Sequence, residues 1–169
     1  MPARRVRTSR ALRSGSRRKL VWSTTDTTVT ALASGALSNV DLLADIATAG
    51  SSVLGVTVVR TLLQIHVQNW AAVGDAIIAG LLVCRAADIG TAVAGQASAN
   101  VHDLDWAMSD AIFPQASGAA VSVAQSYYFD IRSKRKVQEM GQRYALCLAN
   151  NAAAAKTIDV FARTLLALP

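Results

Sequence analysis

The chain is poor in the residues that carry most enzyme chemistry. In 169 residues it has one Glu, two His, two Cys and three Pro. Its motifs are missing as well. It has no G-x-x-x-x-G-K-[ST] loop, no G-x-G-x-x-G, no H-E-x-x-H, no C-x-x-C and no G-x-S-x-G. Neither a catalytic set nor a cofactor or metal site is expected, and the chain reads as a non-enzyme. Cys84 and Cys147 lie far apart in apolar runs, so they read as two buried thiols. A secretory leader needs about 7–15 apolar residues behind its positive end, and nothing from Met1 to Trp22 supplies them. The longest uncharged run, Ala111 to Phe129, contains Pro114, Gln115, Ser117, Gly118, Ser122, Gln125 and Ser126. That is too polar for lipid, so no membrane partner is expected.

Charge is scarce too, at 17% against roughly 25% in ordinary domains. What there is sits unevenly. Residues 1–19 hold eight bases (Arg4, Arg5, Arg7, Arg10, Arg13, Arg17, Arg18, Lys19) and no acid. Residues 20–169 hold nine bases and eleven acids, a net of −2. The chain therefore divides into a basic arm, residues 1–21, and an apolar body, residues 22–169. The arm has too little apolar surface to fold alone. The body is long enough to bury a core without staples.

The body reads as mostly strand. From Val56 to Val67, positions 57, 59, 61, 63, 65 and 67 are Thr, Val, Thr, Leu, Ile and Val, and the alternates from Arg60 on are mixed. That is a period of two. Ala76–Ala86 suits a strand buried on both faces, and the short link from Gln68 to Gly74 predicts a hairpin between the two. Val121–Arg132 sets Tyr127, Phe129 and Ile131 against Tyr128, Asp130 and Arg132. Arg143–Ala149 aligns Tyr144, Leu146 and Leu148. Asn150, Asn151 and four alanines make a turn. Thr157–Leu168 sets Ile158 and Val160 against Asp159, Phe161 and Arg163. A sixth strand is expected at Thr27–Ala33. Two helices are expected. One runs over Val40–Thr48, capped at Ser38-Asn39, with Asp41 and Asp45 at its positive end. The other runs over Leu104–Ile112, capped by Asp103 and ended by Pro114. The fold class is all-β, a β-sandwich with two short helices in its loops.

Three clusters carry candidate chemistry. Eight cations in the arm suit a polyanion. Seven are Arg, which pairs bidentately with phosphate. On single-stranded nucleic acid, log K would fall with log salt at a slope of roughly 6, from about 0.7 per phosphate. No aromatic precedes Trp22, so nothing in the arm reads bases. Arg132, Lys134, Arg135 and Lys136 form a second basic patch, read as a solvated turn where a strand ends, or as a further polyanion or subunit contact. His102, Asp103 and Asp105 are the one place where His and carboxylates crowd. A helix start explains them more simply than a bound cation. His66 is expected to pack on its strand or face a neighbour.

The layout resembles the small single-jelly-roll coat proteins of spherical viruses, among them satellite plant viruses, small circular single-stranded DNA viruses and coat-like proteins of uncultured viral genomes. The residues that carry the resemblance are the arm M-P-A-R-R-V-R-T-S-R-A-L-R-S-G-S-R-R-K and three closing segments. These are Y-Y-F-D-I-R-S-K-R-K (127–136), Y-A-L-C-L-A-N-N (144–151) and V-F-A-R-T-L-L-A-L-P (160–169). The resemblance implies a single jelly roll and a shell domain at residues 22–169. It further implies self-assembly into a symmetric homo-oligomeric shell, an arm facing a non-specifically bound genome, and residence in a virion assembled inside the host cell. The alternative is a small nucleic-acid-binding β-domain, phage or cellular, that forms no shell. An organelle transit peptide also matches the arm's Arg, Ser and missing acids, but its poor apolar face argues against one.

Overall fold

The computed structural model describes residues 18–48, 54–85, 106–117, 120–121, 123–138 and 141–169. Among the described residues, ten strands and one short helix follow one another. They are β1 (Leu20–Leu32), β2 (Leu37–Asp41), α1 (Ala44–Thr48), β3 (Thr57–Val67), β4 (Ile77–Arg85), β5 (Trp106–Ile112), β6 (Ala116–Ser117), β7 (Ala120–Val121), β8 (Gln125–Lys136), β9 (Gln142–Asn150) and β10 (Lys156–Ala167). Eight of them build two four-stranded sheets, ordered β1-β10-β3-β8 and β2-β9-β4-β5. Every pairing is antiparallel. Strands β1, β2, β3 and β4 alternate between the sheets, as do β5, β8, β9 and β10. That is the double Greek key of a jelly roll. The all-β sandwich expected from the sequence is therefore present, with eight main strands rather than six.

The two sheets close on one apolar core. Leu63, Ile65 and Val67 of β3 and Ile158, Val160 and Ala162 of β10 face Ile77, Ala79 and Leu81 of β4 and Tyr144, Leu146 and Leu148 of β9. Burying a side chain of the Leu or Ile class contributes about 1.5–3 kcal/mol. One polar link crosses this core. The Tyr144 hydroxyl lies 3.1 Å from the Thr61 hydroxyl, which satisfies both. A smaller cluster of Leu82, Ala145 and Cys147 lies on the other face of the second sheet. Neither cysteine is in a disulfide, and Cys147 is buried while Cys84, expected to be buried too, is half-buried. Burial, helped by the nearby Cys84, pushes the Cys147 thiol up to about 12.

Three expectations need correction. First, β3 and β4 do not pair. They lie in different sheets, and the link between them crosses from one sheet to the other. Among the described strands of the two large sheets, only β4 and β5 are both consecutive and paired. Second, where the helix expected over Leu104–Ile112 falls among the described residues it is a strand, because Trp106–Ile112 is β5 on the edge beside β4. Third, Val40–Thr48 is helical only from Ala44. Residues 37–41 are strand β2, laddered to β9 from Leu37↔Ala149 to Asp41↔Ala145. Ser38 and Asn39 lie within that strand and do not cap the helix, while Asp41 Oδ1 accepts the Leu43 amide at 2.9 Å in the turn that leads into it. In each case a distant partner strand overrides weak local signals. The buried phase of β3 also shifts. A bulge between Val58 and Arg60 buries Val58 and leaves Thr57 and Val59 half-exposed, and the expected phase resumes at Thr61.

Candidate nucleic-acid interface

Of the eight basic arm residues, Arg18 and Lys19 fall among the described residues. Both are exposed and lead straight into Leu20, the first residue of β1. Arg4, Arg5, Arg7, Arg10, Arg13 and Arg17 lie outside the described residues, as do His102, Asp103 and Asp105. The Lys19 carbonyl accepts the Leu168 amide at 2.9 Å, so the arm's root is laced to the end of β10.

The second basic patch is not a turn. Arg132, Lys134, Arg135 and Lys136 all belong to β8, at an edge of the first sheet. Alternation along the strand splits them. Arg132, Lys134 and Lys136 are exposed, whereas Arg135 is half-buried and its Nη2 donates to the Trp106 carbonyl at 3.1 Å.

The outward face of the first sheet collects side chains from four strands. Its rungs, read from β1 to β8, step along the sheet. One is Thr28, Asp159, His66 and Ser126. The next is Asp26, Phe161, Gln64 and Tyr128. Then come Thr24, Arg163, Leu62 and Asp130, and after them Trp22, Leu165, Arg60 and Arg132. Three rings stand open on this face: Trp22 is 40% exposed, Phe161 40% and Tyr128 73%. The Arg163 guanidinium carbon lies 5.0 Å from the Trp22 ring centroid, a cation–π contact. Leu62, Gln64, Tyr128, Asp130, Phe161 and Arg163 line a shallow concavity of about 420 Å³.

Polar groups on the face are tied to one another. Arg60 donates from Nε and Nη2 to the two Asp130 oxygens, each at 2.7 Å, and this fork holds the Asp130 carboxyl below its usual range. Gln68 and Thr28 each donate to Asp159 at 2.7 Å and lower it likewise. His66 Nδ1 lies 2.9 Å from the Ser126 hydroxyl, so His66 faces a neighbour on the next strand as expected. Among the described residues, no group of three His, Cys, Asp or Glu could hold a metal.

The charge of the arm and of 132–136 is plain in the sequence, but the ring-bearing face is not. Tyr128 and Phe161 each stand opposite their strand's buried set, which is legible. That they share a face with Trp22 depends on a strand order no local pattern reveals.

The chain matches no family model and no curated protein sequence. Among solved structures it is similar to one titled Desmodium yellow mottle tymovirus, at 13% identity and a TM-score of 0.41, covering 100% of this chain and 95% of that chain. It is also similar to a chain in a cryo-EM structure of Mud Crab Dicistrovirus, at 11% identity and a TM-score of 0.31, covering 98% of this chain and 80% of that one.

Proposed function

We propose that this chain is a coat protein. Its jelly-roll body tiles a closed homo-oligomeric shell, and its basic arm neutralises nucleic acid packaged within, without reading sequence. The product is a virion assembled inside a host cell. The reading includes no catalytic activity and no cofactor.

The observation that carries it is the segregation of charge. Eight bases without an acid in residues 1–19 precede a body of net −2. A tethered polycation gains affinity for a polyanion by releasing counterions. The body supplies surface for copies of itself. Val73, Phe113 and Val123 are exposed and apolar. All three lie at one end of the sandwich, in the β3–β4 link and between β5 and β8. Clustered apolar exposure of this kind marks contact surface.

The test is particle size together with nucleic-acid content. The full chain, expressed alone, is expected to elute as a large uniform particle absorbing strongly at 260 nm. Removing residues 2–19 should abolish the 260 nm excess and leave the far-ultraviolet β signal intact. A full-length chain that stays a nucleic-acid-free monomer at low salt overturns the reading. A small oligomer that holds nucleic acid without forming particles favours the shell-less nucleic-acid-binding domain instead.

A further inference from the structure

We propose that the outward face of the β1-β10-β3-β8 sheet is a second nucleic-acid site, one that stacks unpaired bases on Trp22, Phe161 and Tyr128. It rests on the reading of the arm as a nucleic-acid tether, and adds base contact to a tether that has only charge.

Aromatics are scarce here, nine in the whole chain, yet three of them stand open on this one face. Apolar rings left in water on a sheet face gain by being covered. The face is also basic at one end. Arg60 and Arg132 share the rung that carries Trp22, with Lys134 and Lys136 beyond on β8. Arg18 and Lys19 enter at that same end. Of the acids on this face, Asp159 sits at the other end and is engaged by Thr28 and Gln68, Asp130 is engaged by Arg60, and Asp26 stands on the rung of Phe161 and Tyr128 but on the far edge strand, β1. A phosphate chain would therefore track the basic end while its bases reach toward Phe161 and Tyr128.

Phe161 and Tyr128 share one rung and line one concavity. They flank Gln64 of β3, one on each neighbouring strand, so their backbones stand about 9–10 Å apart at ordinary strand spacing. Leu62, on the next rung, adds an apolar side chain to the lining of that concavity. Rings on a sheet with cations alongside bind single strands with little preference for sequence. A duplex keeps its base faces covered, so it would reach only the charges. Continuity with the arm selects this occupant. The tether ends one residue before β1, so a strand held by the arm is delivered to Trp22.

The experiment uses the full chain freed of nucleic acid, with two probes of equal length. One is an oligothymidylate of twenty nucleotides, the other a deoxyribose-phosphate strand without bases. Phe161→Ala with Tyr128→Ala should weaken the thymidylate roughly fivefold or more per ring removed, and leave the abasic strand and the salt slope unchanged. Phe161→Tyr with Tyr128→Phe should restore binding. Tyr128→Ser alone, at the most exposed ring, repeats the test at low risk to folding. Deleting residues 2–19 should weaken both probes. If that deletion changes neither probe, the arm reading fails, and the ring variants still test stacking. Two results overturn the proposal: unchanged thymidylate affinity in the folded double variant, or an equal loss for both probes. A double variant that binds thymidylate normally yet no longer assembles also overturns it, and gives the face to subunit contact.

Discussion

Lys156 is fully buried, and its ammonium has found partners. Nζ donates to Asp75 Oδ2 at 2.7 Å and to the Asn69 carbonyl at 3.0 Å, and it lies 5.7 Å from the Trp70 ring centroid. Asp75 in turn accepts the Ala71 and Ala72 amides at 3.0 and 3.2 Å. One pair thus pins the β3–β4 link to the start of β10. Burial alone would raise the Asp75 carboxyl. The Lys156 contact and the two amides outweigh it and hold the group below its ordinary value. Breaking one side of a buried pair costs about 3–5 kcal/mol, because the other charge is left without a partner. Asp75→Asn should therefore lower the urea midpoint sharply at pH 7. Adding Lys156→Met should recover part of the loss, since no orphaned ammonium remains. The pH dependence has a definite sign. A carboxyl depressed in the folded state gives stability that is complete above its unfolded value of about 3.9 and is lost as pH falls through the folded one. The gap between wild type and Asp75→Asn should be constant from pH 7 to 5 and shrink below pH 4. A gap as large at pH 3 as at pH 7 would show that Asp75 is not an ionised partner.

The central strands carry the sandwich, and β3 is the clearest of them. It lies between β10 and β8 and turns Leu63, Ile65 and Val67 inward. Leu63→Asp places a charge where only apolar atoms can meet it, at a cost of several kcal/mol. The variant should be insoluble or unfolded by circular dichroism, whereas Leu62→Asp, one position away on the outer face, should fold. Equal behaviour of the two would overturn the register of β3. Strands β3, β4, β8, β9 and β10 were legible because their apolar positions repeat every second residue or run unbroken. Strands β2 and β5 were not. They are short edge strands of five and seven residues, and half of an edge strand's ladder faces no partner. Leu42, Leu43 and Ile46 do fall at helical spacing, but Leu42 and Leu43 are buried without being helical. The jelly-roll order was reached through resemblance, since alternation fixes which residues face inward and says nothing of which strand lies alongside.

At the scale of the molecule the sandwich is polar from end to end. Arg18, Lys19 and Lys136 mark the end where β1 starts and β8 finishes. Val73, Phe113 and Val123 mark the opposite end, where β3 finishes and β4 and β8 start; there the Trp70 amide donates to the Val123 carbonyl at 2.8 Å. The first end was foreshadowed by the arm's charge. The second was not, because its three residues lie in separate links and come together only through the crossing strands. If copies meet through apolar ends, assembly and nucleic-acid binding are carried by different parts of one chain and should separate by mutation. Covering one such side chain is worth about 1.5–3 kcal/mol, and a closed shell repeats that gain at each equivalent contact. Phe113→Asp with Val123→Asp removes the gain and sets like charges against each other in every copy. Both side chains are exposed, so the subunit should fold normally. The variant should sediment as a small species and still bind oligothymidylate through its intact arm, while a chain lacking residues 2–19 should do the reverse. Particles of unchanged size from the double aspartate variant would move the subunit contacts away from this end.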